Sequence, residues 1–135
     1  MSDKAETFIE LARRDLAVAK TLSTTDLGNA AFHLQQAAEK LAKAVLEIEG
    51  IHSGVMHMIG ALAAMLPAEH VFRPDLAAFD RFSSFATATR YPRPGGGLPR
   101  EPNRKFLAEG IRDVASLVDE IDDYRKEKGV SPRPK

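Results

Sequence analysis

The sequence contains no cysteine. Disulfide frameworks, thiolate zinc sites, iron–sulfur clusters and cysteine nucleophiles are therefore excluded. It also has no apolar run approaching the roughly 18–20 residues needed to cross a membrane. The opening, Met1-Ser2-Asp3-Lys4-Ala5-Glu6, is polar and mixed in charge, without an apolar segment behind a basic one. Net charge is missing too, because nineteen basic residues meet nineteen acidic ones. That excludes a chain holding nucleic acid by bulk positive charge, while a local patch stays possible. These absences describe a soluble, cytoplasmic protein with no membrane partner. Its 135 residues, 44% of them apolar, suffice for one domain around one core.

What is present is helix after helix. From Asp3 to about Leu22, Phe8, Ile9, Leu11, Ala12, Leu16, Ala19 and Leu22 follow three-and-four spacing, and Asp3 with Glu6 fits a capping box. Thr24-Thr25-Asp26 and Gly28 read as a turn. The spacing predicts a second helix from Asn29 to Glu49 that stops at Gly50. A short third helix is expected from Val55 to Leu66, capped by Ser53 and closed by Pro67. A fourth runs from Leu76, after Pro74-Asp75, to Arg90, carrying Phe79, Phe82, Phe85 and Ala86. The last runs from Asn103 to Lys126, with Phe106, Leu107, Ile111, Val114, Leu117, Val118, Ile121 and Tyr124 in one stripe and Gly129 closing it. No segment alternates with the period of a strand. The expected architecture is all-α, an up-and-down bundle of four long helices plus a short one. One domain fills residues 1–128, and 129–135 form a disordered tail.

Residues 91–102 stand apart. Four prolines and Gly95-Gly96-Gly97 forbid regular structure there, so a mobile loop is expected. Between Arg90 and Lys105 lie five basic residues and one acid, so the segment is +4 and the remainder of the chain −4. Arginine forks beside a helix start can hold phosphate. The alternative is a solvated loop whose arginines pair with acids elsewhere. The glycine run is not a P-loop, since no Gly-Lys-Ser/Thr follows it.

Other enzyme signals are weak. His52 and His57 join no His-Glu-x-x-His pattern, and Ser83-Ser84 have no nucleophile elbow around them. No residue set points to a metal or a cofactor, or to a catalytic group. On the polar side of the second helix, Gln36, Glu39, Lys40 and Lys43 could be a solvent face with i,i+4 pairs. Phe32 and Leu46 do not suit water, and they suggest that this face, with Glu39, meets another helix from the same chain or from a second subunit.

The run Ala31-Phe32-His33-Leu34-Gln35-Gln36-Ala37-Ala38-Glu39-Lys40-Leu41-Ala42-Lys43-Ala44 resembles the long second helix of HEPN domains (higher eukaryotes and prokaryotes nucleotide-binding). His57 is similar to that family's histidine after the inter-helix turn, and Arg90-Tyr91-Pro92 to its Arg-Tyr-Pro. The resemblance covers about residues 4–127 and implies a helical bundle that commonly dimerises. It also implies a nucleotide or RNA ligand, and often a minimal nucleotidyltransferase partner in a toxin–antitoxin-like pair. Ribonuclease members carry an Arg separated from a His by four to six residues. The windows before His33, His52, His57 and His70 hold no arginine, so that motif is absent. The expectation is a non-catalytic HEPN protein binding nucleotide or a nucleotide-like ligand through Gln36, Lys40, Lys43, His57, Arg90, Tyr91 and Arg93. The alternatives are a dimeric protein-interaction module and a ribonuclease with a non-standard site.

Overall fold

The computed structural model describes residues 3–130, apart from the side chains of 85–87 and 130. Helix α1 (Lys4–Leu22) starts where the Asp3 carboxylate accepts the Ala5 N–H at 2.9 Å. Helix α2 (Leu27–Ile48) begins two residues earlier than its apolar pattern suggests. Asp26 is its N-cap and accepts the Asn29 N–H, so Gly28 lies inside the helix. Its end matches expectation. Gly50 takes a φ of +72°, and the Ile51 and Gly50 N–H groups donate to the Leu46 and Glu47 carbonyls, a Schellman ending.

Beyond α2 the helices are shorter than the sequence spacing predicts. Helix α3 spans only Ile59–Ala64, capped by Met58 without a side-chain bond rather than by Ser53. Its buried Ile59, Leu62, Ala63 and adjacent Leu66 start where the helical apolar period starts, whereas Val55 to Met58 are exposed. The expected fourth helix is broken into α4 (Arg73–Ala78), a 3₁₀ stretch (Phe79–Phe82) and α5 (Ser83–Ala88). A 3₁₀ turn eclipses residues three apart. It thereby stacks Phe79 on Phe82 with ring centres 5.4 Å apart, both rings buried. The last helix, α6 (Arg104–Val130), runs through Gly129 instead of stopping there. The rest of the expected tail, 131–135, lies outside the described residues.

The all-α architecture is as expected, with three long helices carrying the core and no strand among the described residues. Helices α1 and α2 form an antiparallel hairpin across a four-residue turn, 23–26. Helix α6 lies antiparallel to α1, because Arg13 pairs with Asp119 and Asp122 while Asp3 faces Arg125. Gly110 sets how closely α6 approaches the rest. A Cβ there would sit 2.7 Å from the Phe82 ring and 2.8 Å from Leu34, both fully buried. No helix among the described residues is long and apolar enough to cross a membrane.

Candidate functional site

The residues singled out in the sequence do not converge on one point. They divide into two pinned groups and one open corner. In the first pinned group, Asp15 from α1 reaches the outer face of α2. There its carboxylate accepts from His33 Nδ1 at 2.9 Å and from the Lys40 ammonium. Asp15 is largely buried, so this bond fastens the hairpin.

In the second, the buried Glu39 carboxylate lies 3.2 Å from Lys43 Nζ and 2.8 Å from His57 Nδ1, with Lys43 Nζ 3.1 Å from that same nitrogen. A ring protonated at Nδ1 donates to Glu39. An unprotonated one accepts from Lys43, and the two bonds exclude each other. His57 stands in the connection before α3, not inside a helix, and its side chain is 69% exposed. Gln36 is tied into the same group, donating to Gln35 Oε1 at 2.9 Å, and Gln35 in turn faces Glu39.

The expectation that Leu46 lies on a surface shared with a second subunit does not hold. Leu46 is 0% exposed and belongs to the core of its own chain. The in-chain alternative holds for it. Glu39 likewise spends its carboxylate within the chain.

The open corner is where α5 returns to the start of α2. The Arg90 guanidinium lies 4.1 Å over the Phe32 ring, and its Nη1 donates to Asn29 Oδ1 at 2.7 Å. Asn29 is itself held, donating from its amide to Asp26 Oδ2 at 2.7 Å. The Asn29 side chain, then its backbone N–H, keep the Asp26 carboxyl below its usual range. Phe32 is thus half-buried beneath an arginine of its own chain rather than bare. Tyr91 follows, 65% exposed. Along α2, Phe32 and Lys43 are about 16 Å apart at 1.5 Å per residue, so this corner and the His57 group are separate places.

Beyond Tyr91, the chain turns through hydrogen bonds from Gly96 N–H to the Arg93 carbonyl and from Arg93 N–H to the Gly97 carbonyl. Arg93, Arg100, Arg104 and Lys105 have no ion pair and no side-chain hydrogen bond among the described residues. Along the chain after Arg90, the +4 segment therefore carries four cations without partners among the described residues. No group of residues arranged to hold a metal is found among the described residues.

Fold and helix order can be set beside known proteins. The HEPN domain family model matches residues 5–124. The chain belongs to the HEPN family. It is 30% identical to a Methanocaldococcus jannaschii protein named "Putative toxin MJ1304", over 92% of this chain and 90% of that one. The crystal structure of TT1696 from Thermus thermophilus superposes with a TM-score of 0.75 at 26% identity, covering 90% of this chain and 98% of the other. That of ST0689, described as an archaeal HEPN homologue, superposes with a TM-score of 0.66 at 22% identity, over 93% and 99%, and supports the fold alone.

Two residues of this corner and hairpin are not singled out by the sequence. Asn29 carries one signal, its place three residues after the Asp26 cap. Asp15 carries none, because its partners are 18 and 25 residues away and meet it only through the register of the α1–α2 hairpin.

Proposed function

We propose that this HEPN protein binds nucleotide, or a nucleotide-like ligand, at the corner formed by Arg90, Tyr91 and the basic loop. We further propose that it acts with a nucleotidyltransferase in a toxin–antitoxin-like pair, and as a homodimer. The observation that carries the binding half is the set of four cations, Arg93, Arg100, Arg104 and Lys105, without acidic partners among the described residues. Arginine forks that are not already neutralised are the groups a phosphate recruits at least cost. The M. jannaschii relative named as a toxin supports the second half.

Lys40, Lys43 and Gln36 have in-chain partners and serve here to shape α2. His57 keeps an exposed ring and stands as an outlying contact for a long ligand. Calorimetry with ATP tests the binding: a saturable heat is expected, lost in Arg93→Ala/Arg100→Ala. No heat at millimolar nucleotide, with or without magnesium, overturns it. The partner half predicts that expressing the chain alone slows growth and that co-expressing a nucleotidyltransferase relieves it.

A further inference from the structure

Arg90 differs from the other cations of its segment in being clamped. One face of its guanidinium is covered by the Phe32 ring at 4.1 Å, and one edge is bonded at 2.7 Å to Asn29. Asn29 is anchored twice to the α2 cap, through its amide and its backbone N–H to Asp26. The clamp therefore rests on the first turn of a long, packed helix, and Arg90 itself remains exposed. A guanidinium held this way has lost the reach that makes arginine useful for following a phosphate. What it keeps is a flat outer face of fixed orientation.

Guanidinium planes and aromatic rings are the surfaces on which nucleobases stack. Fixing such a plane beforehand removes the ordering cost that binding would otherwise carry. The next residue, Tyr91, is a second exposed planar group, and Pro92 confines its backbone to the extended region. The segment's cations without partners among the described residues begin two residues later, at Arg93. Planar groups and free charges thus follow one another along the chain in the order base, then phosphate.

Resting on the nucleotide reading above, we infer that Arg90, clamped by Phe32 and Asn29, is the base-stacking platform of the site, and that phosphate falls to Arg93 and Arg100. The ligand class is then a nucleotide with an aromatic base, rather than a polyphosphate or a sugar phosphate. Phe32 and Asn29 are positioning residues that act through Arg90.

The test compares ATP with inorganic tripolyphosphate, which shares the phosphate chain and lacks the nucleoside, in magnesium-free buffer. The proteins are wild type, Arg90→Lys, Phe32→Leu and Arg93→Ala/Arg100→Ala, each first checked for an unchanged melting transition. Wild type should prefer ATP by about ten-fold, within the range of one base stack. Arg90→Lys keeps the charge, and Phe32→Leu keeps an apolar side chain beneath it. Each should erase the preference while tripolyphosphate affinity stays within about two-fold. Arg93→Ala/Arg100→Ala should weaken both ligands together. The inference is overturned if wild type binds the two ligands equally, or if Arg90→Lys weakens both by the same factor. Silence from both ligands overturns the nucleotide reading itself, and the platform with it.

Discussion

Lys40 and Lys43 on α2 carry the same charge as Arg93 and Arg100 in the loop, and their circumstances are opposite. The lysines lie against largely buried carboxylates, Asp15 and Glu39, which reach them across the hairpin or along the helix. The arginines meet no acid among the described residues. A cation already neutralised must give up one partner to gain another, so a ligand gains little from it. A free one surrenders only water. The family-like motif on α2 is therefore mostly a set of fasteners, and the charge left without a partner among the described residues sits in the loop that has no regular structure.

The largest loss is expected from attacking the packing beneath the fasteners. Leu46→Ala should lower unfolding free energy by about 2–5 kcal/mol, the usual cost of truncating a fully buried leucine, read from urea denaturation. If Leu46 served a subunit contact instead, the variant would keep its stability at low protein concentration and lose only self-association.

Removing a fastener comes next. Asp15→Ala strands a half-buried Lys40 and frees His33, and should cost about 1–3 kcal/mol. Gly110→Ala belongs in this range. The added methyl must displace the buried Phe82 ring and Leu34, at about 1–3 kcal/mol. Up to about 1 kcal/mol of that is offset by the better helix propensity of alanine.

Much of this arrangement is legible in the sequence. The three long helices announce themselves because each buries a continuous stripe, and Asp3 and Gly50 mark ends through chemistry local to them. The segment 76–90 reads as one helix because Leu76, Phe79 and Phe82 are spaced by three, which suits an α-helix and a 3₁₀ turn equally. The 3₁₀ turn also carries the Phe82 ring that packs closely on Gly110 of α6, a contact no local pattern encodes. The third helix reads as too long at its start because Val55 and Met58 look apolar, yet both are exposed. Arg90-Tyr91-Pro92 is visible as a motif. Its partners Asn29 and Phe32 are not, since the pairing spans about sixty residues and depends on α5 returning to the start of α2.

Acid should separate the two regions further. Burial alone would raise the Glu49 carboxyl, but bonds from Tyr124, His70 and Lys128 outweigh it and hold that group below its usual range. Asp122 is likewise lowered, with burial opposed by Arg125 and Arg13. A carboxylate with a lowered folded-state pKa binds fewer protons folded than unfolded, so its contribution is complete above the unfolded value. That contribution disappears as pH falls through the folded one. Urea midpoints should thus be flat near neutrality and drop below about pH 4.5. In Glu49→Gln the drop should be shallower. A variant whose acid profile matched wild type would mean that Glu49 does not fasten the end of α2 to α6.

The smallest effect is expected in the loop. Arg93→Ala/Arg100→Ala removes two charges that pair with nothing in the described chain, so unfolding free energy should stay within about 0.5 kcal/mol of wild type. Relieving repulsion inside a +4 segment would, if anything, make the change slightly favourable at low salt, and added salt should erase it. Asp15→Ala should respond to salt far less, because its partners are lost from a largely buried position. Urea denaturation of both proteins at low and high salt measures this directly. A loss of stability in the loop variant comparable to that of Asp15→Ala would mean the arginines are fasteners too, and the charge available to a ligand would have to come from elsewhere.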